Sequence, residues 1–206
     1  MIDVDNRLVG MITIDDVIDV IDEEAEEDLM ALAGVGDANV RSGLLETLQG
    51  RSSWLLINLG TAILASVVIG IFDATIEQLV ALAILMPIVA SMGGNAATQT
   101  VTVAVRAIAL RQLETLSVRL FVFREAVVAL LNGGIFAVLA AGLAWLWFGN
   151  AEIAAVMAVA MLANLFIAGL SGTLVPLGLL RAGIDPAVAS SVFVTTITDI
   201  AVFLCF

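Results

Sequence analysis

Five apolar runs, each long enough to cross a bilayer, constrain this chain more than any other feature. Hydrocarbon offers no partner to an exposed backbone group, so a span must be a helix of about 20 mostly apolar residues. The runs are Trp54 to Phe72, Leu79 to Val105, Ala126 to Phe148, Ile153 to Leu180 and Ala187 to Phe206. Pro87, Gly93 and Gly94 interrupt the second, and paired glycines there either permit non-helical backbone at membrane depth or allow close helix packing. Trp145 and Trp147 close the third at a position suited to a membrane interface. Asp185-Pro186 opens the fifth, with Asp185 able to cap and Pro186 to occupy the first turn. Hydrophobic residues form 61% of the chain and mean hydropathy is +1.11, values that no ordinary soluble domain reaches. The predicted fold class is an all-α membrane protein with five transmembrane helices.

Charge divides the chain in two. Residues 1–50 carry thirteen acids against two arginines, whereas residues 51–206 carry seven acids against six. An acidic polar segment therefore precedes a nearly neutral membrane domain over 51–206. No basic patch exists for nucleic acid. The absence of histidine removes imidazole catalysis and imidazole metal ligands, and one cysteine, Cys205, makes an intrachain disulfide impossible. The ends read as those of a piece of a longer protein, since Met1 to Val9 resembles the middle of a strand-rich unit and Phe206 ends an apolar run without a polar flank.

All eight basic residues are arginine, and they alternate in side. Arg51 precedes span one; Arg106, Arg111, Arg119 and Arg124 surround the connection of spans two and three; Arg181 separates spans four and five. The remaining connections hold Asp73, Glu77 and Glu152 and no base. The positive-inside rule then predicts a cytoplasmic N-terminus and an external C-terminus, in a multi-pass protein of the plasma (inner) membrane.

Asp199 lies inside the fifth run, where a carboxylate costs roughly 2.5–3.5 kcal/mol on insertion scales. Ser191 and Thr195 precede it at intervals of four, so the three form one polar stripe on a helix. The stripe reads as a cation pathway; the alternative is a protonated carboxyl bonded to a neighbouring helix. In span two, Asn95, Gln99, Thr102 and Arg106 also share one face. Gly169, Gly172 and Gly178 suit close helix contact, and five helices are too few to enclose a polar stripe, which predicts a homodimer.

The lead-in combines a short β-rich run, Leu8 to Ile14, with a helical pattern from Asp15. Nine acids and no base fall between Asp15 and Asp28. Such a face is either simply solvated or relieved by a hard divalent cation, which prefers carboxylate oxygen. Asp16, Asp19, Glu24 and Glu27 fall near one side of that helix. The Gly34-Val35-Gly36-Asp37 match to an intramembrane protease motif sits in a polar loop and reads as chance.

Three segments together resemble the MgtE family of magnesium channels and transporters. LVGMITIDDVIDVIDEEAEED is similar to the end of a CBS domain running into an acidic connecting helix. MPIVASMGGNAATQTVTVAVRAIA and TTITDIAVF resemble the family's second and fifth spans. The resemblance implies a CBS remnant over 1–14, a cytoplasmic connecting (plug) helix and linker over 15–50, and a pore domain over 51–206. It implies a non-enzymatic Mg²⁺ channel or transporter in a homodimer surrounded by lipid, with Mn²⁺ or Co²⁺ as further candidate ions. Asp199 would hold hydrated Mg²⁺ in a pore shaped by Gly93, Gly94, Asn95, Gln99, Ser191 and Thr195. Asp16, Asp19, Glu24, Glu27 and Asp28 would be regulatory Mg²⁺ ligands that gate it. Most of the CBS region is absent from this sequence. The rival reading is a secondary transporter exchanging a divalent cation for H⁺ or Na⁺, which an inverted repeat would favour; none is evident. An aspartyl protease needs a second intramembrane aspartate, and a plain membrane anchor leaves the polar stripe unexplained.

Overall fold

A computed structural model describes residues 11–35, 43–70, 80–112 and 117–205. They form six α-helices: α1 (Ile14–Leu32), α2 (Leu44–Gly70), α3 (Val80–Ala109), α4 (Val118–Phe148), α5 (Ala151–Arg181) and α6 (Pro186–Cys205). Helices α2 to α6 each contain a segment long and apolar enough to cross a membrane, so the five-span reading holds. No strand occurs among the described residues. Most of the β-rich run Leu8 to Ile14 lies outside them; Met11 to Thr13 are irregular, and Ile14 already begins α1. Gly36, Asp37 and the acidic stretch after span one also lie outside.

Local chemistry sets the helix ends. Thr13 and Asp16 form a capping box at α1: the Asp16 carboxylate accepts from the Thr13 N–H at 2.8 Å and its hydroxyl at 2.7 Å, while the Asp16 N–H donates to Thr13 Oγ1 at 3.3 Å. Gly149, at φ 63°, ends α4 with its N–H on the Trp145 carbonyl. Asn150 Oδ1 then caps α5, accepting from Glu152 N–H at 2.7 Å. Asp185 Oδ1 accepts from Ala187 N–H at 2.8 Å, and Pro186 is the first residue of α6, as its sequence predicts.

Two helices depart from the sequence reading. α3 runs unbroken through Pro87, Gly93 and Gly94, so the glycines do not open the helix. α2 begins at Leu44, ten residues before Trp54, and passes through the expected boundary at 50/51 without a break. Hydropathy marks where a helix enters hydrocarbon, not where hydrogen bonding starts. Arg119 and Arg124 likewise lie within α4 rather than beside it.

α5 is the hub, packing against α3, α4 and α6, while α1 and α2 rest chiefly on α6. Small residues make the close approaches. Ala129, Gly133, Ala137, Ala140 and Ala144 are the buried residues of α4 and recur at intervals of three or four. A Cβ on Gly169 would lie 2.4 Å from Ala129 Cβ, and one on Gly172 would lie 2.7 Å from Thr100 Cβ. These two glycines are therefore engaged inside one chain, against α4 and α3, and are not free for contact with a second copy. Gly178 meets nothing within 4 Å.

This packing sets an expected outcome. Gly169→Ala should destabilise the protein by about 1–3 kcal/mol, the range for overpacking a tight contact. Gly134→Ala, where a Cβ meets nothing within 4 Å, should be neutral or slightly stabilising. Thermal unfolding of the two variants in one detergent checks the contrast; equal stability would mean that α4 and α5 are not in this contact.

Candidate functional site

The polar residues of span two sit on the side of α3 that faces away from α5. Gly93, Ala97, Val101 and Ala104 are buried, whereas Asn95, Thr98, Gln99, Thr102 and Arg106 are exposed. At 100° per residue, Asn95 and Thr102 point almost opposite to Gly93. Gly94 lies between the two sides, with open space where its Cβ would be.

The polar stripe of α6 meets this face at its edge. Thr98 and Thr102 of α3 line one small crevice with Ser191 and Thr195 of α6, its volume about 30 Å³. Val101 and Leu32 close its apolar side. Leu32 belongs to the last turn of α1, which with Ala31 packs on the cluster of Ala97, Val101, Ala187 and Val194. The acidic helix thus reaches the junction of α3 and α6. Ser191, Thr195 and Asp199 are half-buried, and no hydrogen bond or ion pair reaches the Asp199 carboxylate among the described residues.

The hydroxyls here are oriented by their own helices. Thr102 Oγ1 donates to the Thr98 carbonyl at 2.8 Å, and Thr98 Oγ1 donates to the Gly94 carbonyl at 2.9 Å. Thr195 Oγ1 donates to the Ser191 carbonyl at 2.9 Å. A hydroxyl whose proton is committed to the backbone presents lone pairs outward. The exposed face therefore offers acceptor oxygens, suited to a cation or its water shell.

Gly93 has a different surrounding. It backs onto Asn164 of α5, a fully buried side chain in the middle of span four. Asn164 Nδ2 donates to the Val89 carbonyl of α3 at 2.8 Å, and its Oδ1 has no protein partner. A Cβ on Gly93 would lie 2.0 Å from that Nδ2. The glycine is thus required by the asparagine. Sequence reading passed over Asn164, although a lone amide in an apolar span is itself a signal of interhelical bonding. It also passed over Thr98, which shares the face of Asn95 and Thr102.

The expected regulatory carboxylates are spread along α1. Asp16, Asp19 and Glu27 are exposed, and the side chains of Glu24 and Asp28 lie outside the described residues. The bonds from Thr13 hold the Asp16 carboxyl below the usual carboxylate range, which gives that residue a role in capping. Among the described residues, no three acidic or thiol side chains gather as a metal cluster.

Comparison with known proteins adds a family. The profile of MgtE, described as a divalent cation transporter, matches residues 86–206, more than half the chain and including α6 and most of α3. The magnesium transporter MgtE of Bacillus subtilis (strain 168) is 33% identical over 207 residues, covering all of this chain and 46% of that protein. Its counterpart in Thermus thermophilus is 32% identical, again over all of this chain and 46% of the relative. That of Enterococcus faecalis is 31% identical over 99% of this chain and 45% of the relative. The chain thus spans somewhat less than half the length of these relatives.

The contact of Gly93 with Asn164 yields a coupled prediction. Gly93→Ala should be destabilising, because the methyl group collides with the amide, and Asn164→Ala should be destabilising through the lost bond to Val89. The double variant should be more stable than the sum of the two losses implies, by about 0.5–3 kcal/mol. Thermal unfolding of all four proteins checks this; strict additivity would place the two residues out of contact.

Proposed function

This chain belongs to the MgtE family of divalent cation transporters, and on that premise we propose that it conducts Mg²⁺ across the inner membrane as a homodimer. The pathway runs between the two copies, along the face that α3 and α6 share. Asp199 faces its mate and holds the hydrated ion through water. Asn95, Gln99, Ser191 and Thr195 line the path, and Gly94 narrows nothing because it carries no side chain. Gly93 contributes from behind, by letting Asn164 approach.

The observation that carries this reading is the polar face itself. An asparagine, a glutamine and two threonines lie exposed on a membrane helix, beside a half-buried carboxylate without a partner among the described residues. Lipid is a poor solvent for all of them, whereas a water-filled path between copies satisfies them. The helices α3 and α6 run in opposite directions and meet where Thr98 and Thr102 adjoin Ser191 and Thr195. One further turn along each brings Asn95 to the level of Asp199. One chain supplies one side of a path, and a second copy supplies the other.

Mg²⁺ dehydrates reluctantly, so a path for it should offer oxygen acceptors to its water rather than a tight cage. Hydroxyls that donate to their own backbone meet that need. Two Asp199 carboxylates offset the ion's charge, an attraction on the order of several kcal/mol at an effective dielectric of about 20. The last turn of α1 supports a gating role, since Leu32 closes the crevice between α3 and α6. Cytosolic Mg²⁺ would act there by relieving the repulsion among the acids of α1, with Asp19, Glu24, Glu27, Asp28 and the free oxygen of Asp16 as its ligands. The arginine pattern supports a cytoplasmic N-terminus and an external C-terminus.

Mg²⁺ flux into proteoliposomes tests the reading. Asp199→Asn keeps the size and a carbonyl oxygen but removes two charges per dimer. It is expected to abolish most flux while unfolding temperature and dimer mass are retained, and Asp199→Glu is expected to keep part of the flux with altered preference among Mg²⁺, Mn²⁺ and Co²⁺. Full flux in the Asn variant would remove Asp199 from the path, and an imposed proton or Na⁺ gradient that drives uptake would favour exchange.

A further inference from the structure

Two arginines from different helices share a groove that has no residue in common with the crevice between α3 and α6. Arg119 stands in the first turn of α4 and Arg181 in the last turn of α5, and both line an open groove of about 630 Å³. Both side chains are exposed, and neither has an acidic partner among the described residues. Ser117, the N-cap of α4, lines the same groove, and its hydroxyl makes no capping bond. The first N–H groups of a helix have no intrahelical acceptor, and the dipole of a 31-residue helix adds positive potential at that end. Two guanidinium groups, an uncommitted hydroxyl and a helix start therefore line one groove, with no acidic side chain paired to either arginine among the described residues.

The rest of the groove is apolar. Val122, Phe123 and Ala126 continue it along α4, into the membrane-spanning segment Val118–Phe148. A soluble anion would use the polar end alone. A phospholipid uses both parts, and basic pockets between spanning helices are a recurring way to hold anionic headgroups. By the positive-inside pattern Arg51, Arg106 and Arg111 lie on this side too and draw the same lipids to the same leaflet by charge.

The geometry points to a binding site for one anionic phospholipid, its phosphate between Arg119, Arg181 and the start of α4, and an acyl chain along Val122 and Phe123. The site lies at the junction of α4 with α5, the hub of the fold.

Native mass spectrometry of the purified 206-residue chain, titrated with phosphatidylglycerol or phosphatidylcholine, tests it. Phosphatidylglycerol is expected to be retained and phosphatidylcholine lost. Arg119→Gln with Arg181→Gln should weaken retention about tenfold or more, given two lost charges at the surface. Arg124→Gln, on the same helix but outside the groove, should leave retention unchanged. Equal retention of the two lipids by the parent chain would overturn the proposal, as would undiminished retention in the double variant. Displacement of phosphatidylglycerol by inorganic phosphate at equal concentration would reduce the groove to a plain anion site and overturn it too. Should the double variant fail to fold, Phe123→Ala decides: the proposal requires weaker phosphatidylglycerol retention, and unchanged retention contradicts it.

Discussion

The contact between α3 and α5 at Gly93 and Asn164 fixes the rotation of α3, and the rest of the arrangement depends on that rotation. Asn164 donates to Val89 one turn before Gly93, and only a glycine leaves room for the amide. Gly172 makes a second close approach against Thr100 about two turns further along. Two such points on one helix leave little freedom for it to turn. With Gly93 held inward, Asn95, Thr98, Gln99 and Thr102 must emerge on the other side. The conserved logic of membrane packing, small residues for approach and an amide for adhesion, thus decides where the polar residues go.

That outward face explains why the chain carries groups that lipid disfavours. Along α3 the threonine hydroxyls donate to their own helix, and along α6 Thr195 does the same, so their oxygens are left as acceptors. Asp199 adds a charge at the edge of the same face. The hydrated Mg²⁺ proposed for this path asks for acceptor-rich, wide surroundings. The lipid groove at Arg119 and Arg181 concerns the opposite property of the chain, its fit to the membrane around it.

Much of the fold was legible in the sequence because hydrocarbon imposes a length and a composition. The five spans, the cap at Asp185 and the first-turn position of Pro186 follow from those rules and from turn chemistry. What was not legible depends on partners. Gly169 and Gly172 announce close contact, yet nothing in their spacing says that Ala129 and Thr100 lie opposite rather than a second copy. Gly93 and Gly94 fit either a break or close packing; α5 packs against the first and the helix continues. Asn164 forms no periodic pattern, and its one signal is that of a lone amide in an apolar span. Asp16 belongs to a T-x-x-D capping box as well as to the acidic run, and the charge count drew attention from the hydroxyl three residues before it.

The central claim is that ions and their water pass along the face shared by α3 and α6. Thiol accessibility measures that directly. With Cys205→Ala as background, Thr102→Cys and Thr195→Cys would be exposed to a charged, membrane-impermeant thiol reagent in proteoliposomes, beside Leu139→Cys on the exposed apolar surface of α4. The account requires reaction at positions 102 and 195, slowed by Mg²⁺, and none at 139. Inert thiols at 102 and 195, or reaction there that Mg²⁺ leaves unchanged, would contradict it.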